Sequence, residues 1–274
     1  MGQLDEIRAK AGFLCDMDGV VYHGTRLLEG ARAFVDWLET AGKRYLFLTN
    51  SSERTPAQLR EKLLGMGLDV SEDHFYTSGQ ATARFIASQS PGCVCYVIGG
   101  DGLRLSLQEE GLRVLGLPDE EGAQMPPSPD FVPDYVIVGE TPYYGYYQVR
   151  QALQYVVAGA KLIGTNPDLT GRDETGLIPT CQALIAPIAL ASGKTPYYVG
   201  KPNALMMRTG LRLLGVHSAD ATIIGDRMDT DIIAGIETGI DTVLALSGVT
   251  TRENMTDFPY RPLHIIARLG DLVP

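Results

Sequence analysis

Long apolar runs are missing from this 274-residue sequence. The longest nearly unbroken one, residues 183–191, contains Pro187 and falls far short of the about 20 residues that span a bilayer as a helix. A basic start followed by an apolar core is missing too. The chain begins Met1-Gly2-Gln3-Leu4-Asp5-Glu6, so no secretory leader is expected, and Glu6 stands where a myristoylation motif wants Ser or Thr. Cysteine is scarce: Cys15, Cys93, Cys95 and Cys181 include no CxxC pair, which argues against zinc and against a disulfide framework. Cys93 and Cys95 alternate on one face of a strand and read as small apolar groups. The expected setting is reducing and cytoplasmic. Positive charge is in short supply, with 23 Lys and Arg against 33 Asp and Glu and a net charge of −10. That balance disfavours nucleic acid as a partner, and a small anionic ligand would need a local positive site. No GxxxxGK[ST] occurs, and Gly99-Gly100-Asp101-Gly102 lacks GxGxxG spacing and reads as a tight turn. His23, His74, His217 and His264 are widely spread and form no evident ligand set.

Apolar residues make up 45% and charged residues 20% of the chain, the composition of a globular protein. The length allows one large domain or two unequal ones. Gly12-Phe13-Leu14-Cys15 reads as a buried strand ending in Asp16. Helical spacing of Ala31, Phe34, Val35 and Leu38 predicts a helix over 29–41, stopped by Gly42. Residues 45–48 form the next strand, before Thr49-Asn50. Thr55-Pro56-Ala57-Gln58 has the form of a capping box and predicts a helix that ends at Gly67. Phe75-Tyr76-Thr77 is a third short strand. Such alternation predicts parallel strands with crossover helices, a doubly wound sheet, whose ligands bind beyond the carboxyl ends of the strands. Residues 118–133 carry five prolines and read as a connector. Strands are expected at 94–98, 135–138 and 162–163, with helices near 101–110 and 146–158, as a second and smaller α/β unit. Strands over 197–199, 222–224 and 242–246, and helices over about 203–214 and after Asp226, complete the pattern.

Four stretches could carry chemistry. In Asp16-Met17-Asp18-Gly19, two carboxylates two apart on an extended chain project to the same side, about 6–7 Å apart, and Gly19 permits a sharp turn. A solvated turn is the alternative. Gly225-Asp226-Arg227-Met228-Asp229-Thr230-Asp231 follows another apolar strand and offers carboxylates to a hard cation such as Mg²⁺, or an acidic helix start. Lys201, after residues 197–199, could pair with a nucleophilic carboxylate and a phosphate, or be a surface charge. Thr49-Asn50-Ser51-Ser52 could hold phosphate oxygens through a hydroxyl and turn N–H groups, or be a polar turn. Their order along the chain strengthens all four.

In that order, DMDG at 16–19, TN at 49–50, GKP at 200–202 and GDRMDTD at 225–231, the sequence resembles the haloacid dehalogenase superfamily of phosphohydrolases over nearly its whole length. VGET at 138–141, GTNPD at 164–168 and LSGV at 246–249 make it similar to the NagD and p-nitrophenylphosphatase subfamily, although Glu140 stands where many relatives carry Leu-Asp-type residues. The resemblance implies a Rossmann-like doubly wound core, 1–82 and 196–274, with an inserted smaller α/β cap, 83–195. It implies Mg²⁺-dependent hydrolysis of small phosphomonoesters through a phosphoaspartate: Asp16 as nucleophile, Asp18 as general acid and base, Lys201 steadying negative charge, and Thr49 with Asn50 and Ser51 on the phosphoryl oxygens. The metal would sit on Asp16, Asp226 and the backbone carbonyl of Asp18, supported by Asp231. Asn166 and Asp168 of the cap are expected substrate contacts, an Asx-type turn at 165–168 being the equal alternative. The cap would act as a lid. The tyrosines at 143–147 would pack the cap or a dimer surface, and a homodimer through the cap is implied as possible. A phosphotransferase or mutase on the same covalent chemistry, and a non-catalytic binder of a phosphorylated ligand, are the other readings.

Overall fold

The computed structural model describes residues 3–116, 131–173 and 175–274. Residues 118–130 of the proline-rich stretch expected as a connector, 118–133, lie outside the described residues. No helix among the described residues is long and apolar enough to cross a membrane.

The chain forms two compact units. The first comprises Met1–Thr49, Pro56–Tyr76 and Lys201–Pro274. It is built on a six-stranded sheet in the order His264–Ile266, Asp241–Ala245, Ala221–Gly225, Gly12–Cys15, Arg44–Thr49, Phe75–Thr77. The strand Gly12–Cys15 is wholly buried. It pairs in parallel with Ala221–Gly225 on one side and Arg44–Thr49 on the other, placing Cys15 beside Ile224 and Phe47. Later strands add outward from this centre in both directions, so the order reverses there. That is the doubly wound pattern, and its switch point is where such sheets bind ligands.

Helix packing follows the sequence pattern. The helix Ala31–Thr40 buries Ala31, Phe34, Val35 and Leu38, the stripe that a 3.6-residue repeat puts on one face. Phe34 and Trp37 meet Phe13 edge-on at 6.0 and 5.5 Å. The helix begins two residues later than expected because Gly30 takes a left-handed φ of 84°. Asn203 caps the helix Ala204–Leu214, its side chain accepting from the Leu205 N–H at 2.9 Å.

The second unit comprises Asn50–Thr55 and Thr77–Gly200. Its five-stranded parallel sheet runs Tyr197–Tyr198, Lys161–Gly164, Tyr135–Val138, Val94–Ile98, Arg113–Leu115. Helices Ser78–Gln89, Asp101–Glu109, Tyr146–Val157 and Cys181–Ser192 accompany it, and a core around Ile98, Val136, Val138, Ile185 and Ile188 closes it. Ser78–Gln89 and Cys181–Ser192 were not anticipated. The first starts in a reciprocal cap: Thr77 Oγ1 accepts from the Gln80 N–H at 3.1 Å, and Gln80 Oε1 from the Thr77 N–H at 3.0 Å. A hairpin pairs Thr170–Asp173 with Gly176–Pro179.

Candidate active site

Regular strand ends at Cys15, one residue before Asp16. The Asp16 N–H still donates to the Ile224 carbonyl at 2.8 Å, which fixes Asp16 beside the end of the neighbouring strand. Met17 then turns inward, and its carbonyl receives the N–H groups of Val20, Val21 and Tyr22. Gly19 takes a φ of 81°, a conformation that costs glycine little.

Four charged side chains of the first unit meet at this switch point. Lys201 is 2% exposed. Its Nζ donates to Asp16 Oδ1 at 2.5 Å, Asp231 Oδ1 at 2.7 Å and the Leu48 carbonyl at 2.9 Å, which uses all three protons of the ammonium. The fully buried Asp231 also accepts from the Arg227 N–H at 3.2 Å through Oδ2. Asp226 is buried, and its Oδ2 accepts from the Val249 N–H at 2.6 Å. Ligand oxygens of Asp16, Asp226 and Asp231 all lie within 4.8 Å of one another. Thr49 is buried at the end of the strand Arg44–Thr49.

Glycines keep this group accessible to itself. A Cβ at Gly248 would fall 1.9 Å from Asp226 Oδ2, one at Gly19 2.5 Å from it, and one at Gly225 2.2 Å from Asp231 Cβ. Each contact lies below any real Cβ approach, so the two aspartates can hold these positions only beside bare backbone.

Charge is unbalanced in the cluster. Burial works against the Lys201 ammonium, but Asp16 and Asp231 more than reverse it, so the lysine holds its proton more tightly than a free one. Burial pushes Asp16 well above the carboxylate range; Lys201 pulls it back, and Asp231 and Asp226 push it up again. Burial, then the Asp231 charge, raise Asp226 to about 7. When fully ionised, three carboxylates around one ammonium leave two negative charges uncompensated, the charge of one divalent cation. The donors are all carboxylate oxygens, which suit a hard cation.

Asp18 lies outside that buried group, its side chain 54% exposed. Partial burial raises its carboxyl, with Lys62 and then His23 opposing. His23 Nε2 lies 2.9 Å from the Ser247 carbonyl and so carries a proton, leaving Nδ1 3.6 Å from Asp18 Oδ1. Neither His23 nor Lys62, whose ammonium sits 3.9 Å above the Tyr22 ring centroid, was a sequence-level candidate.

The remaining candidates gather in the second unit. Asn50 Nδ2 donates to Asp168 Oδ2 at 2.9 Å, and Asn166 Nδ2 to the Asn50 carbonyl at 2.7 Å. The Asp168 N–H donates to Asn166 Oδ1 at 3.0 Å, the bond of an Asx turn. Ser51 hydrogen-bonds to Glu140.

Two family models cover the chain in pieces: a haloacid dehalogenase-like hydrolase model over residues 13–113 and a second model of the same kind over 198–272. A dihydroxyacetone phosphatase of Corynebacterium glutamicum is 37% identical over 260 residues, covering 95% of this chain and 90% of the relative. The chain belongs to the haloacid dehalogenase-like hydrolases. NagD from E. coli K-12 has the same fold at a TM-score of 0.85 and 35% identity, over 96% of this chain and 98% of NagD. A p-nitrophenyl phosphatase from Archaeoglobus fulgidus matches at 0.83 and 33%, with the same coverage. Within the haloacid dehalogenase-like hydrolases, the protein is therefore a NagD-like phosphatase.

Proposed function

We propose that this phosphatase hydrolyses small phosphomonoesters with Mg²⁺ through a phosphoaspartate on Asp16. The observation that carries the reading is the sharing of one buried lysine by Asp16 and Asp231, with the Asp226 carboxylate in the same cluster. Asp16 and Asp226, with the Asp18 carbonyl, would hold the ion. Asp231, whose oxygens already accept from Lys201 and the Arg227 N–H, would support them. When bound, the ion supplies the positive charge the cluster lacks and lowers the cost of bringing a phosphate dianion beside it.

Asp16 uses its free oxygen to attack phosphorus. The bond to the leaving oxygen breaks, and Asp18 gives that oxygen its proton. Water then attacks the phosphoaspartate while Asp18 takes a proton from it, and the bond between phosphorus and Asp16 breaks to release phosphate. A carboxyl raised by partial burial suits the first step, which needs Asp18 protonated. Lys201 holds one Asp16 oxygen, so the other is the one presented. Thr49 with Asn50 and Ser51, and Asn166 with Asp168, are proposed to contact substrate, and the inserted unit to act as a cap. Dihydroxyacetone phosphate and p-nitrophenyl phosphate, the substrates named for two relatives, are the first compounds to assay.

The test is Mg²⁺-dependent release of phosphate from p-nitrophenyl phosphate, with Asp18→Asn alongside. That variant should lose far more activity on alkyl phosphates than on p-nitrophenyl phosphate, whose leaving group needs little protonation. Equal losses on both would remove Asp18 from the acid role.

A further inference from the structure

Glu140 directly follows Val138-Gly139 at the carboxyl end of the strand Tyr135–Val138, and no step of the proposed chemistry uses it. All its partners lie in the second unit. Its N–H donates to Ser52 Oγ at 3.0 Å, and its carbonyl accepts from the Gly100 N–H at 2.9 Å. Its Oε2 accepts from the Ser52 N–H at 3.3 Å and its Oε1 from Asn166 Nδ2 at 3.2 Å, while the Ser51 side chain bonds to it as well. The Asn166 amide nitrogen also reaches the Asn50 carbonyl at 2.7 Å. Thr165 Oγ1 donates to Ser52 Oγ at 3.2 Å, and Ser78 Oγ donates to the Asn50 carbonyl at 2.5 Å. Ser52, Ser78, Thr165 and Asn166 are fully buried. One carboxylate thus reaches Ser51 and Ser52 directly and Asn50 through Asn166.

On the reading that Asn50 and Ser51 contact the substrate's phosphoryl group, we propose that Glu140 is the positioning residue that fixes the Asn50–Ser52 segment, and that it does so as an ionised carboxylate. All three groups bonded to its carboxylate are donors or can donate, and a carboxylate is an acceptor only. A protonated Glu140 offers one acceptor fewer and turns an O–H toward donors. The titratable groups facing it are Asp168, in the loop after the strand Lys161–Gly164, and the Cys181 thiol at the start of the helix Cys181–Ser192. Burial, opposed by the bond from Ser51 and reinforced by Asp168, raises the Glu140 carboxyl to about 7. The hold on the segment is therefore complete above neutral pH and is released as pH falls below it.

Glu140→Gln keeps the shape but places an amide N–H against these donors at every pH. KM and kcat for p-nitrophenyl phosphate, with Mg²⁺ saturating, are compared for variant and wild type from pH 5.5 to 8. Taking the ratio cancels titration of the substrate. The expected KM ratio is near one at pH 5.5 and rises to about five- to tenfold at pH 8, with kcat changed by less than about twofold, the scale of one charge-assisted hydrogen bond. A ratio that stays flat with pH, or a loss confined to kcat, overturns the proposal. Hydrogen exchange of the Ser52 amide tests the same hold without catalysis. At pH 8 it should be at least about tenfold faster in the variant. In the wild type alone, its protection, corrected for intrinsic rate, should fall between pH 8 and 6, and constant protection overturns the proposal even if the variant does not fold. A wild type inactive on every phosphomonoester would sink the phosphatase reading, and exchange at Ser52 would then decide the role of Glu140 separately.

Discussion

Two buried polar groups stand at strand ends in this molecule, one in each unit, and they are held by different forces. Around Lys201, two carboxylates share one ammonium and a third, Asp226, stands in the same cluster. Around Asn50, the carboxylates of Glu140 and Asp168 are bonded to amides and hydroxyls. The first arrangement is governed by net charge, which acts at a distance and can be balanced only by another ion. The second is governed by hydrogen-bond direction, which acts only between neighbouring groups. The same chemical change, a carboxylate replaced by its amide, should therefore have different consequences in the two places.

The largest effect belongs to Asp16→Asn, which would remove the attacking oxygen of the proposed mechanism. The expected loss in kcat is on the order of 10⁴-fold or more, read from phosphate release under saturating Mg²⁺. Residual turnover near the wild-type rate would dissolve the contrast, since the charged cluster would then be structural only. Next comes Lys201→Met, which leaves Asp16 and Asp231 buried without their cation. Removing one partner of a buried pair costs about 3–5 kcal/mol, measurable by urea unfolding. A loss under about 1 kcal/mol would mean the carboxylates had taken up protons at little cost.

Asp226→Asn sharpens the comparison through its sign. Asp226 has its folded pKa raised to about 7 by burial and the Asp231 charge, so folding favours its protonated form. The associated stability is present below the unfolded carboxylate value and is lost as pH rises through about 7. At pH 8 without metal, the neutral variant escapes that loss and should melt higher than wild type, by several degrees at roughly 2–4 °C per kcal/mol. Added Mg²⁺ should raise the wild-type melting temperature and leave the variant nearly unmoved. A metal-free variant that melts lower than the metal-free wild type would show that the cluster carries no surplus negative charge.

Much of the charged cluster was legible in the sequence, because three of its four members are side chains placed just beyond an apolar run. Asp16 follows residues 12–15, Asp226 follows residues 221–225, and Lys201 follows 197–200. What was not legible is backbone. The Leu48 carbonyl that takes the third lysine proton and the Val249 N–H on Asp226 are groups every residue has, and only the fold selects them. Gly248 and Gly19 carry their meaning in the space a Cβ would fill. LSGV is visible as a motif, but its part in seating Asp226 is not. The helix Cys181–Ser192 was hidden by its own composition. Its apolar residues are nearly continuous and include Pro187, so no 3.6-residue stripe stands out. The helix Ser78–Gln89 carries a signal, the Thr77-to-Gln80 spacing of a capping box, masked by the strand Phe75–Thr77 that it directly follows.

The smallest effect is expected for Asp168→Asn, in the second group. Asp168 Oδ2 accepts from Asn50 Nδ2 at 2.9 Å, and an asparagine can present a carbonyl oxygen at the same place. The Asx turn uses the Asp168 backbone N–H and is untouched by the change. The lost charge also relieves Glu140, which Asp168 pushes upward. Stability should therefore change by less than about 1 kcal/mol, the worth of one neutral hydrogen bond exchanged for another. The pH at which the Ser52 amide gains protection should shift downward. A loss as large as that of Lys201→Met would mean that the second group, like the first, depends on its charge, and the distinction between the two would fall.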